Sequence, residues 1–225
     1  MIEIVDQENR AKYTDEIEAM FRMRYKVAVE GWKWNIPNVT PGYDKDQFDT
    51  DDTIYFLAYD DERNLIGCGR LNPTITPHLL SDVFAEQCDF EGIPQEKDIF
   101  EFSRFIVDKG SLTHSQAVQY NLEICLAVTE YSVANGINQL TWLAYKSMYT
   151  KSVVLWKTRP LGAPKYYEDD DSTYIAAIID TTPLAVKRIR RFCRASDPKI
   201  VCLGSNGMNK KLPNASRARK RLVRA

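Results

Sequence analysis

The stretch TIYFLAYDDERNLIGCGRLNPT, residues 53–74, decides the fold. TIYFLAYD at 53–60 and LIGCGRLNPT at 65–74 are rich in aromatic and branched apolar side chains. The DERN between them suits a tight turn, so the pair predicts an antiparallel hairpin. Working outward, DIFEFSRFIVD at 98–108 is the next strong strand, INQLTWLAY at 137–145 reads as a buried one, and Thr173 to Ile179 as another; MIEIV suits a short strand at the start. Helical spacing fills the intervals. Tyr13, Ile17, Met20, Phe21 and Tyr25 predict a helix over 10–28, and Ala117, Ile124, Ala127, Val128 and Tyr131 predict one from Thr113 to Asn135 with its stop at Asn135-Gly136. PHLLSDVFAEQC and Thr150 to Lys157 predict short helices, and TPLAVKRIRRFCRA a last one with Pro183 in its first turn. Strands that follow one another both directly and across helices give an α/β sandwich with a mixed central sheet.

The 225 residues suffice for one sizeable core, and 44% apolar with 27% charged residues excludes a disordered or low-complexity chain. A single domain over 1–205 and a basic tail over 206–225 are expected. Lys and Arg number 30 against 31 Asp and Glu, but 13 of the 30 fall between Lys187 and Ala225 with Asp197 as the one acid there, so the body is acidic and its end basic. That end lacks the aromatics and motifs of a nucleic-acid reader. Five cysteines at scattered spacings read as reduced thiols, and two histidines cannot build a His-rich metal site. No apolar run approaches a membrane span. The expectation is a cytoplasmic monomer or weak dimer with neither nucleic-acid nor membrane partners and no metal.

Two groups of residues carry chemistry. Residues 29–52 form a long loop with Trp32 and Trp34, followed by Asp44, Asp46, Asp49, Asp51 and Asp52, and Arg24 precedes it near the end of the first helix. Aromatic faces beside carboxylates suit a cationic, adenine-containing small molecule, although a solvated acidic loop has the same composition. The second group is Arg70 with Glu101, Ser103 and Arg104 of EFSRF. Alternation puts Glu101 and Ser103 on one face of a strand and Phe102 and Arg104 on the other, unless a bulge brings Glu101 and Arg104 together. So many polar side chains on a central strand are costly unless they pair or line a cleft. Other candidates fail: GCG at 67–69 lacks the spacing of a dinucleotide loop, Ser103 lacks a nucleophile-elbow context, Cys68 reads as apolar filler, His78 and His114 as ordinary, and the DDD at 169–171 as a solvated loop.

Taken together, FRMRYKV at 21–27, GWKW at 31–34, DQFD at 46–49, GCGRLNPT at 67–74 and EFSRF at 101–105 resemble, in order and spacing over residues 1–110, the acyl-homoserine-lactone synthases, the autoinducer synthases of bacterial quorum sensing. The resemblance implies a three-layer α/β/α sandwich with a mixed central sheet, a fold like that of the GCN5-related N-acyltransferases. It implies that Arg24, Asp46, Asp49, Arg70, Glu101 and Arg104 form an electrostatic cluster ordering the N-terminal loops over S-adenosylmethionine, which is a substrate rather than a resident cofactor. Trp34 would help enclose that substrate, Phe102, Ser103 and Phe105 would position the acyl thioester, and Glu101 would be the base, with a low pKa beside the arginines. Thr141, Trp142, Leu143, Met148 and Leu155 are the implied acyl pocket. The donor would be acyl carrier protein or acyl-CoA, met by Lys146, Lys151, Lys157 and the 187–194 helix, with the preference on the carrier protein. Where the family usually carries Phe four residues after Arg24 this chain has Ala28, whose space Trp32 would fill. The coenzyme A pyrophosphate loop of ordinary acetyltransferases is missing after residue 108. The rivals are an N-acyltransferase acting on another amine and a non-catalytic binding module of the same fold.

Overall fold

The computed structural model describes residues 1–36, 38–110, 112–193, 200–203 and 209–210. In chain order its elements are β1 (Ile2–Val5), α1 (Thr14–Arg24), β2 (Ile54–Tyr59), β3 (Leu65–Pro73), α2 (Leu79–Asp82), β4 (Ile99–Val107), α3 (His114–Ala134) and β5 (Gln139–Tyr145). They continue with α4 (Lys146–Leu155), β6 (Lys157–Pro160), β7 (Lys165–Tyr167), β8 (Ser172–Asp180), α5 (Pro183–Phe192), β9 (Ile200–Leu203) and β10 (Asn209–Lys210). One mixed sheet runs in the order β10-β9-β1-β2-β3-β4-β5-β8-β6, with β7 also on β8. The hairpin forms as read, with Tyr55 opposite Arg70.

Helix starts and stops follow local chemistry. Thr113 caps α3 by accepting from the Gln116 N–H, and Thr182 caps α5 with Pro183 just inside. The first helix differs from the expected single span: a short 3-10 turn over Arg10–Lys12 precedes α1, which passes into a π-helical turn over Tyr25–Gly31. Such a turn widens the helix where its end meets the loop carrying the tryptophans. The fourth helix begins at Lys146 rather than Thr150, directly off β5. Two strands, β6 and β7, occupy residues where no strand is predicted, and β6 starts at Lys157, the expected end of a helix. The expected tail lies outside the described residues except for β10.

Strand alternation divides the core between two faces. On one, Phe102, Leu140, Trp142 and Ile179 pack under α3, α4 and α5. On the other, Met20, Phe21, Tyr55, Leu57, Cys68 and Ile106 pack under α1, while Leu80, Ile99, Ala176 and Ile178 pack beside α2. Between those two apolar patches the second face turns polar, with Arg70, Asn72, Glu101 and Thr141. Asn72, Glu101, Thr141 and Ile178 are successive partners across four strands. Two irregularities open the sheet at this point. β4 and β5 pair in parallel only from Ile99 to Glu101 against Gln139 to Thr141, and beyond that no pairing joins them. At the same place the β3–β4 register slips and Arg104 takes a left-handed backbone, φ 50°.

Candidate active site

Arg24 leaves the last turn of α1 fully buried, and its guanidinium can be held there only by acids. The 44–49 loop supplies them. Arg24 Nε donates to Asp44 Oδ2 at 3.1 Å, while Nη1 and Nη2 donate to the two oxygens of Asp49 at 2.9 and 3.1 Å. Arg70 Nη1 reaches Asp46 at 2.6 Å and Asp49 at 3.0 Å, and its Nε donates to Ser103 Oγ at 3.0 Å. Arg104 contacts Asp44 at 3.0 Å and Asp46 at 2.8 Å. Three arginines and three aspartates therefore alternate in one buried lattice that ties a helix end, a loop and two strands together. Tyr55 donates to Asp49 at 3.0 Å, and Phe48, buried beneath the loop, anchors it through its carbonyl, which accepts from Thr53 and Asn72.

The bulge is what completes the lattice. Without it Arg104 falls on the opposite face from Ser103; with the left-handed residue, both turn to the same side, while Phe102 and Phe105 stay together on the other, ring centroids 5.3 Å apart. Charge within the lattice is set by competition. Burial disfavours the Asp49 and Asp44 carboxylates, but Arg24 and Arg70 hold Asp49, and Arg104 and Arg24 hold Asp44, well below the usual carboxylate range. Burial also opposes the charge on Arg24, yet Asp49 and Asp44 outweigh it and raise the pKa; Arg104, pressed by burial and by Arg24, is lowered.

Glu101 stands apart from this lattice, contrary to the expectation. Its two oxygens accept the backbone N–H groups of Leu79 at 3.0 Å and Leu80 at 2.7 Å, the first residues of α2, and it bonds to none of the arginines. The expected low pKa is reversed as well. Burial dominates and raises it, against the Leu80 N–H, His78 and Arg70, all of which favour the ionised form. It sits one strand from Thr141, whose buried hydroxyl has no hydrogen-bond partner, at the place where β4 and β5 part.

Trp34 is half-buried, packs on Trp32 at 5.2 Å and lies 6.0 Å from the Arg104 guanidinium carbon. Its indole N–H donates to Tyr145 Oη at 2.5 Å, pinning the loop to the end of β5. Both tryptophans pack against the apolar patch that contains the fully buried Ala28. The five residues expected to line one acyl pocket divide between faces: Leu143 joins the patch beside α2, on the side of Thr141, whereas Trp142, Met148 and Leu155 belong to the core under α3. Of the basic residues, Lys146 and Lys151 are exposed, Lys157 pairs with Asp180 at 3.5 Å, and Arg190 is tied to Glu130 of α3. Sequence reasoning did not separate Asp44 from Asp51 and Asp52, passed over Tyr55 and Tyr145, and took His78 as ordinary, although it is completely buried next to the Glu101 clamp. Among the described residues no helix is long and apolar enough to cross a membrane.

Known proteins carry the same frame. The family model described as autoinducer synthase matches residues 8–189. An isovaleryl-homoserine lactone synthase of Bradyrhizobium diazoefficiens is 31% identical over 185 residues, 80% of each chain. Among solved structures, the CoA-dependent acyl-homoserine lactone synthase BjaI, with SAM and isopentyl-CoA, superposes with TM-score 0.81 at 27% identity, covering 91% of this chain and 93% of that one. The CoA-dependent synthase MesI gives 0.77 at 29%, covering 89% and 98%. An acyl-CoA N-acyltransferase from Pseudomonas aeruginosa, 14% identical with TM-score 0.51, covering 79% of this chain and 97% of that one, shares the fold alone. With four-fifths of the chain aligned to a synthase and most of it covered by the family model, the chain belongs to the autoinducer synthase family, acyltransferases that make acyl-homoserine lactones.

Proposed function

We propose that this chain transfers an acyl group from coenzyme A to the amine of S-adenosylmethionine, with Glu101 as the base, and then releases 5'-methylthioadenosine as the lactone closes. The observation that carries the assignment of Glu101 is its setting: a buried carboxylate, 1% exposed, with both oxygens fixed by backbone N–H groups at the mouth of the β4–β5 gap. Burial raises its proton affinity above that of an ordinary carboxylate, the direction a base needs, whereas Asp49 between its arginines moves the other way. Glu101 takes the proton as the amine nitrogen bonds to the thioester carbon and the carbon–sulfur bond breaks. The substrate's own carboxylate then attacks its γ-carbon and the sulfonium leaves as a neutral thioether. The second step needs orientation more than acid or base, and a rigid ion lattice under Trp34 supplies that.

The gap lets the acyl chain pass between the two faces, so that Thr141 and Leu143 meet it on one side and Phe102, Phe105 and Trp142 on the other. Likeness to two CoA-dependent synthases turns the preferred donor from the carrier protein to acyl-CoA, and the isovaleryl and isopentyl groups of the relatives make a short branched chain the first to try. The test is mass spectrometry of products from S-adenosylmethionine with matched CoA and carrier-protein thioesters, run on the parent and on Glu101→Gln. The parent should give acyl-homoserine lactone and methylthioadenosine from CoA thioesters, and the variant should lose about 10²–10⁴-fold in turnover while melting with the parent. Product from carrier-protein thioesters alone overturns the donor, and unchanged turnover overturns the base.

A further inference from the structure

Trp34 and Tyr145, 111 residues apart in the chain, meet over the opening between β4 and β5. The two strands pair only as far as Glu101 and Thr141. Three residues further along β4, the Arg104 guanidinium carbon lies 6.0 Å from the Trp34 ring; four residues further along β5, Tyr145 Oη accepts the indole N–H at 2.5 Å. One indole therefore reaches both strands beyond the point where they part. Its backbone is fixed as well: the Trp34 N–H donates to the Ala28 carbonyl at 2.9 Å, and Lys33, between the two packed indoles, takes a left-handed conformation, φ 61°. The acceptor is braced in turn. Tyr145 stands opposite Tyr174 in the β5–β8 ladder with ring centroids 4.6 Å apart and planes at 30°, the Tyr174 hydroxyl donates to Asp170, and Tyr167 meets Tyr174 edge-on at 5.6 Å. Swinging Tyr145 away from Trp34 would break this aromatic stack.

We propose that Tyr145 is a positioning residue for substrate binding: by accepting the indole N–H it holds Trp34 across the opening and so sets the affinity for S-adenosylmethionine. This rests on the reading of Trp34 as a wall around that substrate. A half-buried side chain on a long loop is ordered by the few bonds it makes, and one hydrogen bond changes the population of the held state by about 2–10-fold. The substrate binds the held state, so its apparent affinity falls by that fraction when the bond is lost. Tyr145 touches neither the amine nor Glu101, and its loss leaves the chemical step alone.

The test is steady-state kinetics on Tyr145→Phe, which keeps the ring stack and removes the acceptor. KM for S-adenosylmethionine should rise by about 2–10-fold, while KM for a short branched acyl-CoA, kcat and Tm stay with the parent. A purely structural role would instead lower Tm and impair both substrates together. In a Trp34→Ala background, adding Tyr145→Phe should cost nothing more, because no indole is left to hold. An unchanged KM in Tyr145→Phe, with a raised one in Trp34→Ala, overturns the proposal and keeps the wall; an unchanged KM in Trp34→Ala overturns both. A second measurement needs no substitution at Trp34. The chain has four tryptophans, and in Tyr145→Phe one indole N–H resonance of the four should move upfield and exchange faster with solvent. Four unmoved resonances overturn the proposal.

Discussion

Asp49 is the residue on which the ion lattice turns, because it meets both Arg24 and Arg70 with a side chain that no solvent reaches. Its pKa is depressed, so the stability it contributes is complete above the ordinary carboxylate value of about 3.9 and is lost as pH falls through the lower folded value. Asp49→Asn leaves two buried guanidinium groups short of a partner and should cost about 3–5 kcal/mol at neutral pH. Denaturant midpoints measured from pH 2 to 7 should show that deficit constant at the upper end and shrinking below about pH 4; a deficit independent of pH would mean the carboxylate charge is not what holds the lattice. The sequence showed this site's participants but not their geometry. Five aspartates in a loop look alike until burial distinguishes Asp44, Asp46 and Asp49 from the exposed Asp51 and Asp52. Alternation placed Arg104 on the wrong face unless a bulge intervened, and a left-handed non-glycine residue has no composition signal. The implied cluster set Glu101 beside arginines and so at a low pKa, whereas its hydrogen bonds come from the backbone of a helix 21 and 22 residues earlier.

At the scale of elements, legibility follows apolar content. The hairpin, β4, β5, α3 and α5 announce themselves because each must present a continuous apolar face. β6 is exposed along most of its length and ends in Pro160, so nothing in its composition separates it from a turn; its place at the sheet edge is what permits the proline. α5 is held on α3 partly by packing of Val186 and Ile189 and partly by one charged contact, Arg190 Nε to Glu130 Oε1 at 2.7 Å. Glu130 is nearly enclosed, and burial raises its pKa against the pull of Arg190. A half-removed buried pair is worse than none. Arg190→Met alone should therefore destabilise by roughly 3 kcal/mol, and adding Glu130→Leu should recover most of that loss. A double-mutant cycle on thermal or denaturant unfolding measures the coupling; costs that simply add would show that α5 stays on α3 by apolar packing alone.

Across the whole molecule, the sheet has two ends and treats them differently. At one, β6 offers solvent Lys157, Arg159 and Pro160, a combination that resists pairing with another chain. At the other, β1 is buried along its full length, IEIV, and would present an apolar open edge were it last. It is not last, because β9 pairs with it in parallel, Ile2 opposite Ile200 and Glu3 opposite Val201, and β10 adds to β9. This closing of the edge was not legible in the sequence: parallel pairing of the first strand with one almost two hundred residues later depends on the whole intervening fold. It puts residues 200–203 and 209–210 in the sheet. A chain stopped after Lys210 should melt with the parent. A chain stopped after Cys193 should lose several degrees of Tm and self-associate through the uncovered β1, because an unpaired apolar strand is a template for another copy. Calorimetry and light scattering on the two truncations decide it, and equal melting of both would mean that β1 is held by β2 and the helices alone, with its outer edge contributing nothing.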